Sequence, residues 1–181
     1  MKYSTREDED YLIEICEFDN LEGKNFSDLD GSKEDEENGV WTIFGENKKT
    51  KNRECLHVGS SKNIYKELRA ILRLMISNPE KVSISTTFHK NVYDFTTYID
   101  KNSIKYRMIY QNYKNFKIYK IDIERYLLGE KVGDYNKINY AEVKFAYDNK
   151  ALLWNPAPSF NGNQEKEILR QIIIENRKIK K

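Results

Sequence analysis

The stretch GVWTIFGENKKTKNRECLHVGSSKNIYKEL (residues 39–68) decides how this chain folds. GVWTIFG (39–45) is a short run of β-branched and aromatic residues bounded by glycines, which reads as a strand. ENKKTKNRE (46–54) is a charged turn, and CLHVG (55–59) is a second apolar run, so the two pair as an antiparallel hairpin with a basic loop. The next segment, SSKNIYKELRAILRLMIS (60–77), is the clearest helix: Ile64, Leu68, Ile71, Leu72 and Met75 recur on one face. Ser60 or Ser61 is placed to cap its start, and Pro79 follows its end. Lys62, Lys66, Arg69 and Arg73 fall on nearly the opposite face and make a basic stripe.

Outward from this core the pattern is less decided. YLIEICEF (11–18) suits a strand or a short helix, and the acidic, glycine-punctuated 19–38 reads as a long loop. VSISTTF (82–88) alternates like a strand. IKYRMIYQ (104–111) and FKIYKIDI (116–123) both read as strands, with NYKN as the turn between them. IERYLLGE reads as a short helix ending at Gly129, and NYAEVKFAYDNKALLW (139–154) as a helix broken near Asp148-Asn149. NPAPSFNGN (155–163) is a loop, and 164–181 a terminal helix with a basic tail. The expected architecture is α+β, a small antiparallel sheet flanked by helices. It divides into an acidic N-terminal extension (1–38), a central domain (39–163) and the C-terminal helix (164–181).

Composition narrows the function. The 181 residues are 39% hydrophobic and 33% charged, enough for one cored domain with a polar surface. No apolar run approaches the roughly 20 residues that span a bilayer, and MKYSTREDED lacks a signal-peptide core, so no membrane role and a cytoplasmic location are expected. Two cysteines exclude a disulfide scaffold and a four-cysteine zinc site. Two histidines exclude a multi-histidine metal site, and glycine-rich phosphate loops and serine elbows are absent. The net charge of +2 hides an asymmetry: residues 1–38 carry −10 and the remainder +12. A basic body behind an acidic front fits a polyanion binder. Six tyrosines between Tyr93 and Tyr119 interleave with lysines, and with Lys105 and Arg107 they give a texture suited to nucleic-acid backbones and bases.

Gly39-Val40-Trp41, His57-Val58-Gly59 with the following GSSKNIYKEL, and Pro158-Ser159-Phe160-Asn161 together resemble the GIY-YIG nuclease family. There, two tripeptides lie on neighbouring antiparallel strands, an arginine on the next helix holds phosphate, and a glutamate on a later helix holds one divalent ion. The resemblance implies DNA as partner and Mg²⁺, with Mn²⁺ as a substitute, as cofactor. Trp41 stands for the first tyrosine and His57, a competent general base, for the second. Arg69 is the candidate phosphate ligand, although the family's arginine position falls on Glu67. Glu142 is the candidate metal ligand, with Asp148 its competitor, and Asn161 shapes the closing loop. Lys62, Lys66, Arg73, Lys105 and Arg107 are candidate nucleic-acid contacts. Two functions are open on these residues: a metal-dependent endonuclease, or a catalytically degenerate relative that binds or inhibits a nucleic-acid-processing protein. Oligomeric state is not readable from them.

Overall fold

The computed structural model describes residues 9–19, 38–76, 109–154 and 162–179. Its centre is a four-stranded antiparallel sheet: β1 (Leu12–Phe18), β2 (Gly39–Asn47), β3 (Arg53–Ser61) and β4 (Tyr113–Ile121), in the order β1-β4-β2-β3. Helices α1 (Ile64–Ile76), α2 (Ile123–Tyr126), α3 (Lys137–Asp148) and α4 (Gly162–Ile179) complete the described elements. The fold is α+β, a sheet with helices on both faces.

The hairpin of β2 and β3 forms as its sequence implies, with Trp41 opposite Gly59 and Ile43 opposite His57. A register shift follows Ile43, and Phe44 then pairs with Cys55, leaving Leu56 as the extra residue of a bulge. Side chains on successive residues of β2 go to opposite faces. Trp41 and Ile43 join Leu56, Ile64, Leu68, Ile71, Leu72 and Met75 under α1. Val40 and Phe44 join Cys55, Val58, Tyr140, Val143, Phe145, Ile168 and Ile172 under α3 and α4. β2 is buried on both faces because β4 and β3 flank it and helices cover it. Burying a Trp or Phe here contributes on the order of 2–3 kcal/mol each. Thr42, buried in this strand, donates its hydroxyl to the His57 carbonyl at 3.0 Å.

Some elements differ from the sequence reading. Residues 109–112 are helical, so the described end of IKYRMIYQ is not a strand, and NYKN opens β4 rather than turning a hairpin. β4 ends at Ile121 because Asp122 caps α2, accepting the Arg125 N–H at 3.2 Å. α2 turns off through Gly129, whose φ of +82° lies in the region glycine occupies freely. α1 starts later than Ser60 or Ser61: both belong to β3, and Asn63 caps the helix by accepting the Lys66 N–H at 2.9 Å. α3 runs from Lys137 to Asp148, its start capped by Asn136, and 149–154 continues as turn and bend rather than helix. YLIEICEF contributes β1, whose residues Leu12–Phe18 pair with β4, so the sheet reaches back before residue 39. VSISTTF, Pro79, Lys105, Arg107, Pro158 and Asn161 lie outside the described residues. Among the described residues no helix is long and apolar enough to cross a membrane.

Candidate functional site

The end of the hairpin, where β3 feeds α1, brings the motif residues together. On the α1 side, the indole of Trp41 lies fully buried. The His57 ring meets it edge-on, with centroids 5.1 Å apart and planes at 75°. Gly59 is required here by close approach: a Cβ on it would stand 2.6 Å from Trp41 Cζ2. Trp41 Nε1 donates to Glu67 Oε2 at 3.2 Å. Glu67 sits in the first turn of α1, beside the Ser61 hydroxyl, which donates to the Asn63 carbonyl at 3.1 Å. Burial raises the Glu67 carboxyl above its ordinary range, and the negative charge of Glu142 pushes the same way. The Trp41 bond and the nearby Ser61 hydroxyl oppose that rise without cancelling it.

Ser60 is the next residue, and its strand position sends it to the opposite face, since it pairs with Val40 of the α3-side core. There Ser60 Oγ donates to Glu142 Oε2 at 2.5 Å, and Trp154 Nε1 donates to Glu142 Oε1 at 2.9 Å. Trp154 reaches this place because the chain after α3 folds along β3: Leu152 N–H bonds to the Cys55 carbonyl and Leu153 N–H to the Leu56 carbonyl, at the bulge. Charge-assisted bonds of this kind orient a carboxylate firmly.

The candidate residues are therefore only partly assembled. Trp41 and His57 are in contact, while Glu142 is held by Ser60 under the other face of the sheet. Arg69 is half-buried on α1, about 200° around the helix from Glu67. The α1 side chain that meets Trp41 is Glu67. Asp148 belongs to a different cluster: Lys144 Nζ reaches it at 2.8 Å and the Tyr126 hydroxyl donates to it at 3.0 Å. Lys62, just before α1, and Lys66 and Arg73 on it are exposed, while Arg69 of the same stripe is half-buried.

Both oxygens of Glu142 accept a protein donor, which orients the carboxylate and leaves a lone pair on each oxygen for a further partner. Among the described residues no group of three or more His, Cys, Asp or Glu side chains is placed to share an ion. A magnesium ion keeps several waters and takes one or two carboxylates, so Glu142 is the residue that would hold it here. Two participants had no sequence signal as site residues. Ser60 looked like a helix cap, and Trp154 lies twelve residues past Glu142 with no periodic relation to it. Glu67 was visible as an acid in the arginine position, but its bond to a tryptophan 26 residues away was not. A comparison with known family models, curated proteins and solved structures finds no match to this chain.

Proposed function

We propose that this chain is a nucleic-acid-binding module that resembles the GIY-YIG nucleases in its hairpin and has lost their cleavage chemistry. One observation carries the proposal: a carboxylate, Glu67, occupies the helix position where a phosphate-holding arginine would stand, and it is tied to Trp41. Glu67 thus puts a carboxylate on the α1 face of the hairpin, where a scissile phosphate would need a cation. Like charges there oppose a phosphodiester. Binding is supported by the exposed cations Lys62, just before α1, and Lys66 and Arg73 on it, and by the +12 charge of residues 39–181. The pairing of Trp41 with Gly59, and the His57 ring against Trp41, favour the second reading, a working endonuclease.

Cleavage of plasmid and oligonucleotide DNA with Mg²⁺ or Mn²⁺, run beside Glu142→Ala, separates the two. The proposal expects intact DNA and a complex that weakens in the triple variant Lys62→Gln/Lys66→Gln/Arg73→Gln. Cleavage that vanishes with Glu142→Ala would replace the proposal with the endonuclease. Neither cleavage nor binding would leave a nucleic-acid-processing protein as the partner.

A further inference from the structure

At the far end of the hairpin, residues Lys48–Asn52 form a turn whose five side chains are all exposed. The turn is held firmly. Asn47 Oδ1 accepts the N–H groups of Lys49 at 3.0 Å and Thr50 at 3.2 Å. Asn47 and Asn52 close it through the backbone at 2.8 Å, as does Lys51 N–H to the Asn47 carbonyl at 2.8 Å. Lys51 has φ +60°, the left-handed region. A residue with a Cβ costs roughly 1–2 kcal/mol there, a cost glycine avoids. The chain nonetheless carries a lysine at this position, between Lys49 and Arg53.

The neighbouring acids are engaged. Glu46 takes Lys114 at 3.3 Å and the Asn115 amide at 3.0 Å, and Glu54 accepts the Tyr113 hydroxyl at 2.6 Å. Lys114 and Lys51 both help hold the Glu46 carboxyl below its ordinary range. Arg53 is anchored on the Asn115 carbonyl. Lys48 Nζ bonds to the carbonyls of Gln111 at 2.8 Å and Tyr110 at 3.3 Å. Tyr110 packs against the core beneath α1, so Lys48 ties the turn to a segment on the α1 side of the sheet. The exposed cations at the outer end of the tip are Lys49 and Lys51, of which Lys51 also acts on Glu46.

We infer that this turn is a second phosphate-backbone contact, acting with the α1 stripe on one duplex. The inference rests on the nucleic-acid-binding reading proposed above. α1 begins beside Gly39, where the Ile64 side chain approaches it, and the turn begins after Asn47, so Lys62 at the start of the stripe and the tip lie toward opposite ends of β2. Eight strand steps separate these ends by about 26 Å. At about 3.4 Å per nucleotide along each strand of a duplex, that is a run of about eight phosphates. The tip carries ammonium, hydroxyl and amide groups and no apolar side chain. It therefore lacks the buried anchor on which protein partners depend, and it suits phosphate oxygens.

The test is fluorescence anisotropy of a labelled duplex of about 20 base pairs across about 50–200 mM salt. It compares the unaltered chain with Lys49→Gln/Lys51→Gln, Lys51→Gly and the α1 triple variant. Each phosphate that the protein no longer neutralises lowers the salt slope by about 0.9. The expected result is a slope smaller by about 2 in the double variant and about 1 in Lys51→Gly, whose melting temperature does not fall. Tip variants that keep the full slope, while the α1 triple loses it, would overturn this inference alone. If the unaltered chain fails to bind the duplex, the binding reading and this inference fall together. A tip that serves an acidic protein would likewise leave duplex affinity unchanged.

Discussion

Gly59 lies against the indole of Trp41 so closely that a Cβ would meet Cζ2 at 2.6 Å and Cε2 at 2.9 Å. Those atoms belong to a fully buried ring in the middle of β2, not to the end of a flexible chain. Gly59→Ala therefore overpacks the core and is expected to destabilise by about 1–3 kcal/mol. Trp41→Phe removes part of the indole that clashes. In urea unfolding, the double variant should cost less than the sum of the two singles, because the residues touch. Additive losses would mean that the strand simply moves aside.

Glu67 should make stability depend on pH. Burial raises its folded carboxyl above the 4.5 of an unperturbed glutamate. A raised acid binds more protons folded than unfolded, so its contribution is fully present below pH 4.5. It is lost as pH rises from there through the raised folded value. Glu67→Gln keeps an acceptor for the Trp41 N–H and removes the charge. It should flatten the stability profile over that window and gain stability above it. Parallel profiles for both proteins in denaturant titrations across pH would refute the assignment.

The parts of the fold that were legible in the sequence are those with a local period. The apolar stripe of α1 and the GVWTIFG and CLHVG runs carry their structure in a few neighbouring residues. The failures are physical too. IKYRMIYQ is a short apolar run whose composition suits strand or helix, and tertiary packing chose helix for its described end. YLIEICEF sits in an acidic context that suggested an extension, yet its pairing partner is β4, about a hundred residues on. At the site, Trp41, His57 and Glu142 were identifiable as residues of interest. What sequence spacing could not give is the face each one occupies. Ser60 and Ser61 are adjacent and serve opposite sides of the sheet, one holding Glu142 and the other turning to the Asn63 carbonyl beside Glu67.

The Glu142 cluster yields a structural expectation whether or not the chain cuts DNA. Ser60 and Trp154 each donate to a separate oxygen of Glu142. Glu142→Ala leaves a partly buried hydroxyl and an indole N–H without their acceptor, a loss of about 1–3 kcal/mol. Glu142→Gln retains an acceptor for one donor and should lose less. Trp154→Phe should release the segment that bonds to Cys55 and Leu56, seen as faster hydrogen exchange at the Leu152 and Leu153 amides. Unchanged exchange there would mean that the backbone bonds hold the segment alone.

Two ion pairs of nearly equal length should differ in worth because they differ in burial. Lys144 meets Asp148 at 2.8 Å with side chains only 15% and 17% exposed. Lys137 meets Glu124 at 2.9 Å with side chains 59% and 77% exposed. Water and salt screen the second pair, so Lys137→Met should cost well under 1 kcal/mol. The first pair also involves Glu130 at 3.4 Å, the Tyr126 hydroxyl on Asp148, and the ammonium 5.7 Å from the centre of the Tyr126 ring. Removing Lys144 leaves two acids facing each other with no cation between them, so Lys144→Met should cost about 3 kcal/mol. Lys144→Met/Asp148→Asn should recover part of that loss, since one of the stranded charges is gone. The measurement is the urea midpoint of each variant at low and high salt. Equal midpoints for Lys144→Met and Lys137→Met would show that burial does not set the strength of these pairs.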